Sequence, residues 1–221
     1  YQIKANLDID RDHRLTFTRF YGDDVLDFSY EDPSETVRNE NVTIQQDSKF
    51  GLDWPWGNQT NGLTWRWIIS PKMIAKTFLS NSRYRFDFDL FFQNRDTYIY
   101  ADSTAINFTN FNWNIYDIIK DQTLESEVQY KYSNDHEITS GFQIKKIKFD
   151  LGIQYDLGTQ DTSFTWNPLS LKNNTQEISF FLQDRWEVSK RLKIRSGLRL
   201  TDYNLHKRIY ADPRIGMKYH I

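Results

Sequence analysis

The chain has 221 residues, with 28 lysines and arginines against 30 aspartates and glutamates, so its formal net charge is −2. This balance excludes the positive surplus that nucleic-acid binding requires, and the absence of cysteine excludes disulfides and thiolate metal sites. Aromatic residues make up 16% of the chain, which argues against an acidic disordered protein, and no apolar run is long enough for a transmembrane helix.

Alternation of apolar and polar residues predicts β-strands along the whole chain. Residues 1–10 carry an apolar side chain at every odd position, which in a strand gives one apolar and one polar face. The same alternation predicts about nine strands, at residues 1–9, 14–28, 57–69, 73–93, 116–132, 137–157, 174–188, 191–203 and 210–221. Four residues fall on the opposite face from the pattern: Ile68 and Phe181 on the polar one, Arg19 and Asp184 on the apolar one.

The connections between these strands alternate in length. Short, turn-like segments lie near residues 10–13, 70–72, 133–136 and 189–191. Long ones lie at about 29–57, 94–116 and 158–174, with a shorter one of this kind at about 204–210. Outer-membrane barrels have this arrangement, with short periplasmic turns and long extracellular loops, and a closed barrel satisfies the backbone hydrogen bonds in lipid. We therefore predict an all-β fold, an antiparallel transmembrane β-barrel segment.

The strand count indicates that this segment is part of a larger barrel. Bacterial single-chain barrels have an even number of strands, and nine antiparallel strands begin and end in the same direction. We expect residues 1–221 to form part of a single outer-membrane barrel domain of about 22 strands, the size of the plugged transporters.

Several segments resemble the TonB-dependent outer-membrane receptors. In residues 177–200, Gln183-Asp184-Arg185-Trp186 precedes a short turn and Gly197-Leu198-Arg199 follows it, as in a hairpin of that family. Residues 212–219 resemble the Pro-Arg strand that comes next, and residues 65–72 and 133–141 resemble periplasmic turns. The resemblance covers most of the chain and is to the versions found in Bacteroidetes-type bacteria. The family's TonB box, its plug domain and its usual aromatic C-terminus are not found here, so we expect the plug and the true C-terminus to lie outside this chain.

Nothing in the sequence indicates catalysis. The four histidines (His13, His136, His206 and His220) have no helical metal-ligand spacing, and there is no Gly-x-Ser-x-Gly elbow or Gly-rich phosphate loop. Asp8, Asp10 and Asp12 do not continue as a calcium loop, because His13 and Arg19 stand where its Gly and Glu belong. We predict no enzyme activity, no cofactor and no metal site in these residues.

Three sets of residues are candidates for function. Aromatic side chains in the predicted extracellular loops are candidates for ligand contact, with an interfacial girdle or loop packing as the alternative: Trp54, Trp56, Tyr98, Tyr100, Trp113 and Trp166. The charged side chains of the polar face are expected to face the lumen or a plug: Glu125, Glu127, Lys131, Arg185, Glu187, Lys193, Arg195, Arg199, Arg214 and Lys218. Apolar side chains of the opposite face are expected to meet lipid: Phe180, Leu182, Trp186, Leu192, Ile194, Leu198 and Leu200.

The resemblance implies an outer-membrane receptor that imports a nutrient, such as a siderophore, oligosaccharide or peptide, when TonB pulls on the plug. The partners it implies are outer-membrane lipid, the plug of the same protein, TonB and a surface lipoprotein. One alternative is a structural or partner-docking barrel subunit of an outer-membrane assembly. Another is a soluble carbohydrate-binding β-sandwich, which predicts turns scattered over both ends of the fold.

Overall fold

The computed structural model describes residues 1–32, 35–204 and 206–220, without the side chains of residues 206 and 207. Every regular element of the described residues is a β-strand. The strands are β1 (Gln2–Asp8), β2 (His13–Glu31), β3 (Glu35–Asn39), β4 (Val42–Ser70), β5 (Met73–Ile99), β6 (Thr104–Lys131), β7 (His136–Thr159), β8 (Ser163–Glu187), β9 (Leu192–Tyr203) and β10 (His206–Tyr219).

The strands form one antiparallel sheet. Nine of them follow one another in the order β1-β2-β4-β5-β6-β7-β8-β9-β10, and the short β3 pairs with β4 beside this path. The predicted all-β fold is confirmed, as are the nine strands of the main path. In the described residues the sheet is open, because β1 and β10 each have a single neighbour.

The prediction of long loops is wrong. Among the described residues, most of 29–57, 94–116 and 158–174 instead belongs to strands, so that β4 has 29 residues and β6 has 28. Residues 33 and 34, and residue 205 in the predicted connection at 204–210, lie outside the described residues. Tight turns join the extended strands, as where the Tyr100 N–H donates to the Ser103 carbonyl at 2.9 Å. The polar, Asn-rich side chains of these segments weaken the apolar–polar alternation on which the prediction rests. The segments form strands nevertheless, because strand pairing depends on the neighbouring backbone. At about 3.3 Å per residue these strands are roughly three times as long as the 30 Å hydrocarbon core of a bilayer is thick.

The predicted short turns are confirmed, and a side-chain oxygen closes three of them. Asp10 Oδ1 accepts hydrogen bonds from the backbone N–H groups of Asp12 and His13, both at 2.8 Å. These bonds, that of Asp12 first, lower the pKa of the Asp10 carboxyl. Ser133 Oγ and Ser189 Oγ accept equivalent pairs of backbone bonds in the turns before β7 and β9. We call the edge of the sheet that holds these turns the turn end.

The sheet has no apolar core of its own. No hydrophobic side chain of the described residues is buried, and the buried side chains are those of the polar residues Asp96, Thr123, Ser179 and Thr201. Both faces of this single layer are uncovered in the described residues, so the sheet presents apolar areas that it does not cover itself.

Candidate functional site

The two faces of the sheet exchange polarity part-way along the strands. Near the turn end, the face that carries Leu124 is apolar, and the face that carries Glu125 is polar. A row of directly paired side chains on the Leu124 face marks the change across β4 to β8. We call it the polar row, and its members are Asn61, Asn81, Gln122, Lys146 and Gln176.

On either side of the polar row the Leu124 face differs sharply. Towards the turn end, the next row consists of Leu63, Leu79, Leu124, Ile144 and Ile178. Away from the turn end, the next row consists of Gln59, Arg83, Lys120, Lys148 and Asn174. The Glu125 face changes in the opposite sense, because beyond the polar row it carries Trp54, Phe88, Trp113, Ile153 and Leu169.

A continuous aromatic strip crosses β4 to β8 on the Glu125 face beyond the polar row. The ring centroids of Trp54 and Phe88 lie 5.8 Å apart, and those of Phe88 and Trp113 lie 5.5 Å apart. Trp113 stacks on Tyr155 at 6.0 Å, and Tyr155 stacks on Trp166 at 5.6 Å. Trp56 joins the other end through Trp54 at 5.6 Å. Such pairs stabilise an aromatic cluster beyond the area they bury.

The strip contains four of the six predicted ligand-contact residues. Tyr98 and Tyr100 are not among them, since they lie at the far end of β5, where Tyr98 pairs with Ile44 and Ala105. Phe88 and Tyr155 belong to the strip and were missing from the predicted set. The sequence does contain a signal for both residues, because each stands in a stretch of alternating apolar and polar residues. That alternation predicts a membrane-spanning strand, whereas the structure places both residues in the part of the strand beyond the polar row.

Two indole groups of the strip lack hydrogen-bond partners. Trp54 Nε1 and Trp113 Nε1 are both buried, and neither has an acceptor among the described residues. A buried donor without a partner costs about 1–3 kcal/mol, so native proteins supply nearly all such groups with acceptors. The strip is therefore an apolar surface with two unused donors in it.

All ten residues predicted to face a lumen lie on the Glu125 face, near the turn end. Arg199 is the centre of a network there, because it donates to Gln143 at 2.7 Å and to the fully buried Ser179 at 2.6 Å. Gln143 in turn donates to Glu125 at 2.6 Å. Arg185 pairs with Glu137 at 2.9 Å, and Lys193 pairs with Glu187 at 2.6 Å.

Four cations of this set form no ion pair within the described part of the chain: Lys131, Arg195, Arg214 and Lys218. Arg195 and Lys218 line a cavity of about 310 Å³ together with Arg185 and Lys193. This area of the Glu125 face has an excess of positive charge, so its complement is an acidic surface.

All seven residues predicted to meet lipid lie on the Leu124 face. Phe180, Leu182 and Leu198 are 60%, 57% and 45% exposed, and nothing in the described residues packs over them. The apolar area is continuous with Leu15, Phe17 and Trp65 on the earlier strands.

Histidine–tryptophan stacks border the apolar area at the turn end. His13 stacks on Trp65 at 5.7 Å and on Trp67 at 5.4 Å, and Trp65 Nε1 donates to His13 Nδ1 at 3.2 Å. His136 stacks on Trp186 at 5.5 Å and bonds to Asp184 at 2.8 Å. The bond to His136 explains why the charged Asp184 lies on the apolar face. Arg19, the other charged exception, lies level with the polar row because it pairs with Asn61.

Nothing in the described ranges assembles three or more His, Cys, Asp or Glu side chains around a common point as a metal site would. The side chain of His206 lies outside the described residues. Among the residues that the structure does describe, no helix has the length and apolarity to cross a membrane.

The sequence model for "TonB dependent receptor-like, beta-barrel" matches residues 1–221, the whole chain. The chain belongs to this family. It is therefore barrel wall of a bacterial outer-membrane receptor, and the resemblance seen in residues 177–200 and 212–219 is confirmed at the level of the family. A comparison with curated protein sequences gave no match.

Solved structures that are similar to this chain include two receptors and a transporter. A variant of the ferric enterobactin receptor PfeA from Pseudomonas aeruginosa is 10% identical over 98% of this chain and 40% of its own, with a TM-score of 0.37. The siderophore receptor PirA from Acinetobacter baumannii is 8% identical over 100% of this chain and 40% of its own, with a TM-score of 0.37. The outer membrane transporter YddB from Escherichia coli is 8% identical over 94% of this chain and 36% of its own, with a TM-score of 0.35. The chain thus spans about two fifths of the length of these receptors, and none of the three bears on a Bacteroidetes-type origin.

Proposed function

We propose that this chain forms part of the wall and the binding mouth of a receptor that imports a nutrient across the outer membrane when TonB acts on its plug. In this proposal residues 1–221 belong to a single barrel of about 22 strands, and the plug domain and the C-terminus lie elsewhere in the protein. The observation that carries the proposal is the exchange of polarity across the polar row. A strand that stays within the bilayer needs one apolar face over its whole length, whereas these strands change their apolar face.

The exchange supports one orientation of the wall. The apolar Leu124 face near the turn end meets lipid, and the Glu125 face lines the lumen. The strands extend furthest beyond the apolar area on the side away from the turn end, and long extensions are typical of the extracellular side. The histidine–tryptophan stacks at the turn end fit the aromatic belt of a membrane interface. Beyond the polar row the wall leaves the membrane, its outer side is wetted, and its inner side is apolar.

The aromatic strip is the proposed ligand surface. It lies on the inner side of the wall, outside the membrane, where a nutrient arriving from the medium would enter. Its stacked rings offer a flat apolar area for a ligand. Tyr98 and Tyr100 are proposed as contacts at the outer rim, which a ligand meets on its way in.

The charged part of the Glu125 face is the proposed seat of the plug. The ion pairs and the Arg199 network stiffen the wall, and the excess of cations around Arg195 and Lys218 calls for an acidic plug surface. Import of this kind is driven through TonB, so the wall needs neither a catalytic group nor a cofactor, and we propose that the protein is not an enzyme.

The test is uptake by cells that produce the full-length protein. Candidate siderophores, oligosaccharides and peptides are offered one class at a time, with and without an agent that dissipates the proton gradient. We expect uptake of one class that stops when the gradient is dissipated. A protein that takes up none of them but retains a surface lipoprotein through purification would instead be a partner-docking subunit.

A further inference from the structure

Four basic side chains cluster on the Leu124 face, in the polar row and in the row beyond it. Arg83 pairs directly with Lys120 across β5 and β6, and Lys120 pairs directly with Lys148 across β6 and β7. Lys146 belongs to the same face, two residues from Lys148. Like charges placed directly opposite in a sheet destabilise it. We call these four residues the basic cluster.

The basic cluster has no direct carboxylate partner within the described part of the chain. Arg83, Lys120, Lys146 and Lys148 are all exposed, and none of them forms an ion pair there. The next residue towards the N-terminus from Lys146 behaves differently, because Lys145 projects from the opposite face and pairs with Asp121 at 3.1 Å.

Two acidic groups near the cluster on the same face are paired with other cations. Asp150 lies 3.3 Å from Lys172, and Asp87 lies 3.5 Å from Arg85. Three amide side chains complete the surroundings of the cluster, and with it they line a cavity of about 230 Å³. These amides are Gln59, Asn81 and Gln122. The cavity therefore offers several donors and holds no carboxylate.

The position of the cluster indicates the kind of ligand that it binds. The polar row is one step of two residues, about 7 Å, from the row of Leu79, Leu124 and Ile144. If that apolar row meets the hydrocarbon of the outer leaflet, the cluster lies at the depth of the lipid headgroups. Because it is on the outside of the wall, it faces neither the plug nor an imported nutrient.

We propose that the basic cluster binds phosphate groups on the headgroup of an outer-leaflet glycolipid, and that this holds the barrel wall at its depth in the membrane. Ammonium and guanidinium groups are the usual partners of phosphate, and their long stems lie over apolar surface while their charges stay in the headgroup layer. The amides of the polar row are placed to bond the sugar hydroxyls of the same headgroup. The proposal rests on the orientation given under Proposed function.

The experiment uses the full-length protein, purified from the outer membrane in detergent, and measures the phosphorylated glycolipid that stays bound, by native mass spectrometry. The test variant combines Lys120→Gln, Lys146→Gln and Lys148→Gln. The matched control is Lys145→Gln, the same change one residue away on the other face. A second triple variant replaces the same three lysines by arginine and so keeps the positive charge. It separates an effect of the lost charge from an effect of misfolding.

We expect the wild type, Lys145→Gln and the arginine triple variant to retain the glycolipid. The amount bound to the glutamine triple variant should be lower by about tenfold or more. Protein reloaded with the enzymatically dephosphorylated glycolipid should show no difference between wild type and glutamine variant. Equal retention by the glutamine triple variant would overturn the proposal. So would full displacement of the lipid by millimolar inorganic phosphate, since the site would then recognise free phosphate.

Failure of this proposal can be told apart from failure of the proposed transport. Lipid retention is measured on purified protein and uptake on intact cells. Uptake without lipid retention by the wild type would overturn the lipid site alone, and lipid retention without uptake would overturn transport alone.

Discussion

Ile144 and Ile147 lie three residues apart on β7 and project from opposite faces of the sheet. Ile144 stands between Leu124 and Ile178 on the Leu124 face, and Ile147 stands between Asp121 and Thr175 on the Glu125 face. Lys145 and Lys146 separate them. An odd spacing between apolar residues in a strand changes the face that they occupy, so this pair marks the point at which the wall passes from one environment to another.

The orientation of the wall predicts which of two neighbouring residues tolerates a charge. Leu182→Arg places a cation on the proposed lipid face and should cost about 2–4 kcal/mol of assembly free energy if it lies near the middle of the bilayer. Gln183→Arg, one residue away on the Glu125 face, should cost far less. The measurement is the fraction of full-length protein that migrates as folded barrel in an unheated gel. Equal loss in both variants would mean that the faces are assigned the wrong way round.

The aromatic strip predicts a loss of ligand affinity. Once the class of nutrient is known, Trp113→Ala should weaken its binding about 5- to 10-fold, because stacking at such a residue contributes about 1–1.5 kcal/mol. Trp67→Ala removes the same side chain near the turn end, on the other face, and should leave the affinity unchanged. Binding is measured by titration calorimetry on the purified full-length protein. A loss of affinity in the Trp67 variant equal to that in the Trp113 variant would contradict the strip as the ligand surface.

Arg199 is predicted to stabilise the wall through its partners. Arg199→Met leaves the buried Ser179 hydroxyl and the Gln143 amide without this donor, and should lower the free energy of unfolding by about 2–3 kcal/mol. Urea unfolding of the full-length protein in detergent measures the change. Ser179→Ala added to Arg199→Met should cost little more, since both changes remove the same bond. Strictly additive losses would show that the two side chains act independently.

Gly141 is predicted to be a position where no larger residue fits. A Cβ there would meet the backbone oxygen of Ser126 and lie 2.6 Å from the ring of Phe181, so Gly141→Ala should cost about 1–3 kcal/mol. Gly216 has nothing within 4 Å of the same atom, and Gly216→Ala should be tolerated. Thermal unfolding of both variants is the measurement. A tolerated Gly141→Ala would mean that the β6–β7–β8 packing yields at this point.

The contact of Gly141 with Phe181 also shows where sequence patterns stop. The alternation marks Phe181 as an exception on a polar face, but it does not reveal that the ring covers a glycine on the neighbouring strand. Likewise Asp184 is an exception in the sequence and a partner of His136 in the structure. Each exception depends on register between strands, which one strand's sequence does not contain.

The sequence pattern alone predicts the nine strand regions next to the turn end, their antiparallel order, the tight turns there and the two faces nearby, because period-2 alternation and turn chemistry are local properties. It also pointed to Trp54, Trp56, Trp113 and Trp166. The three-dimensional structure adds that most of the predicted long loops are strand, that Phe88 and Tyr155 join those tryptophans in one strip, and that Arg83 shares a cavity with three lysines of β6 and β7. These features arise from direct pairing of residues distant in the chain. The ladder of β4 to β8 fixes the register of five strands together, and that common register aligns the polar row.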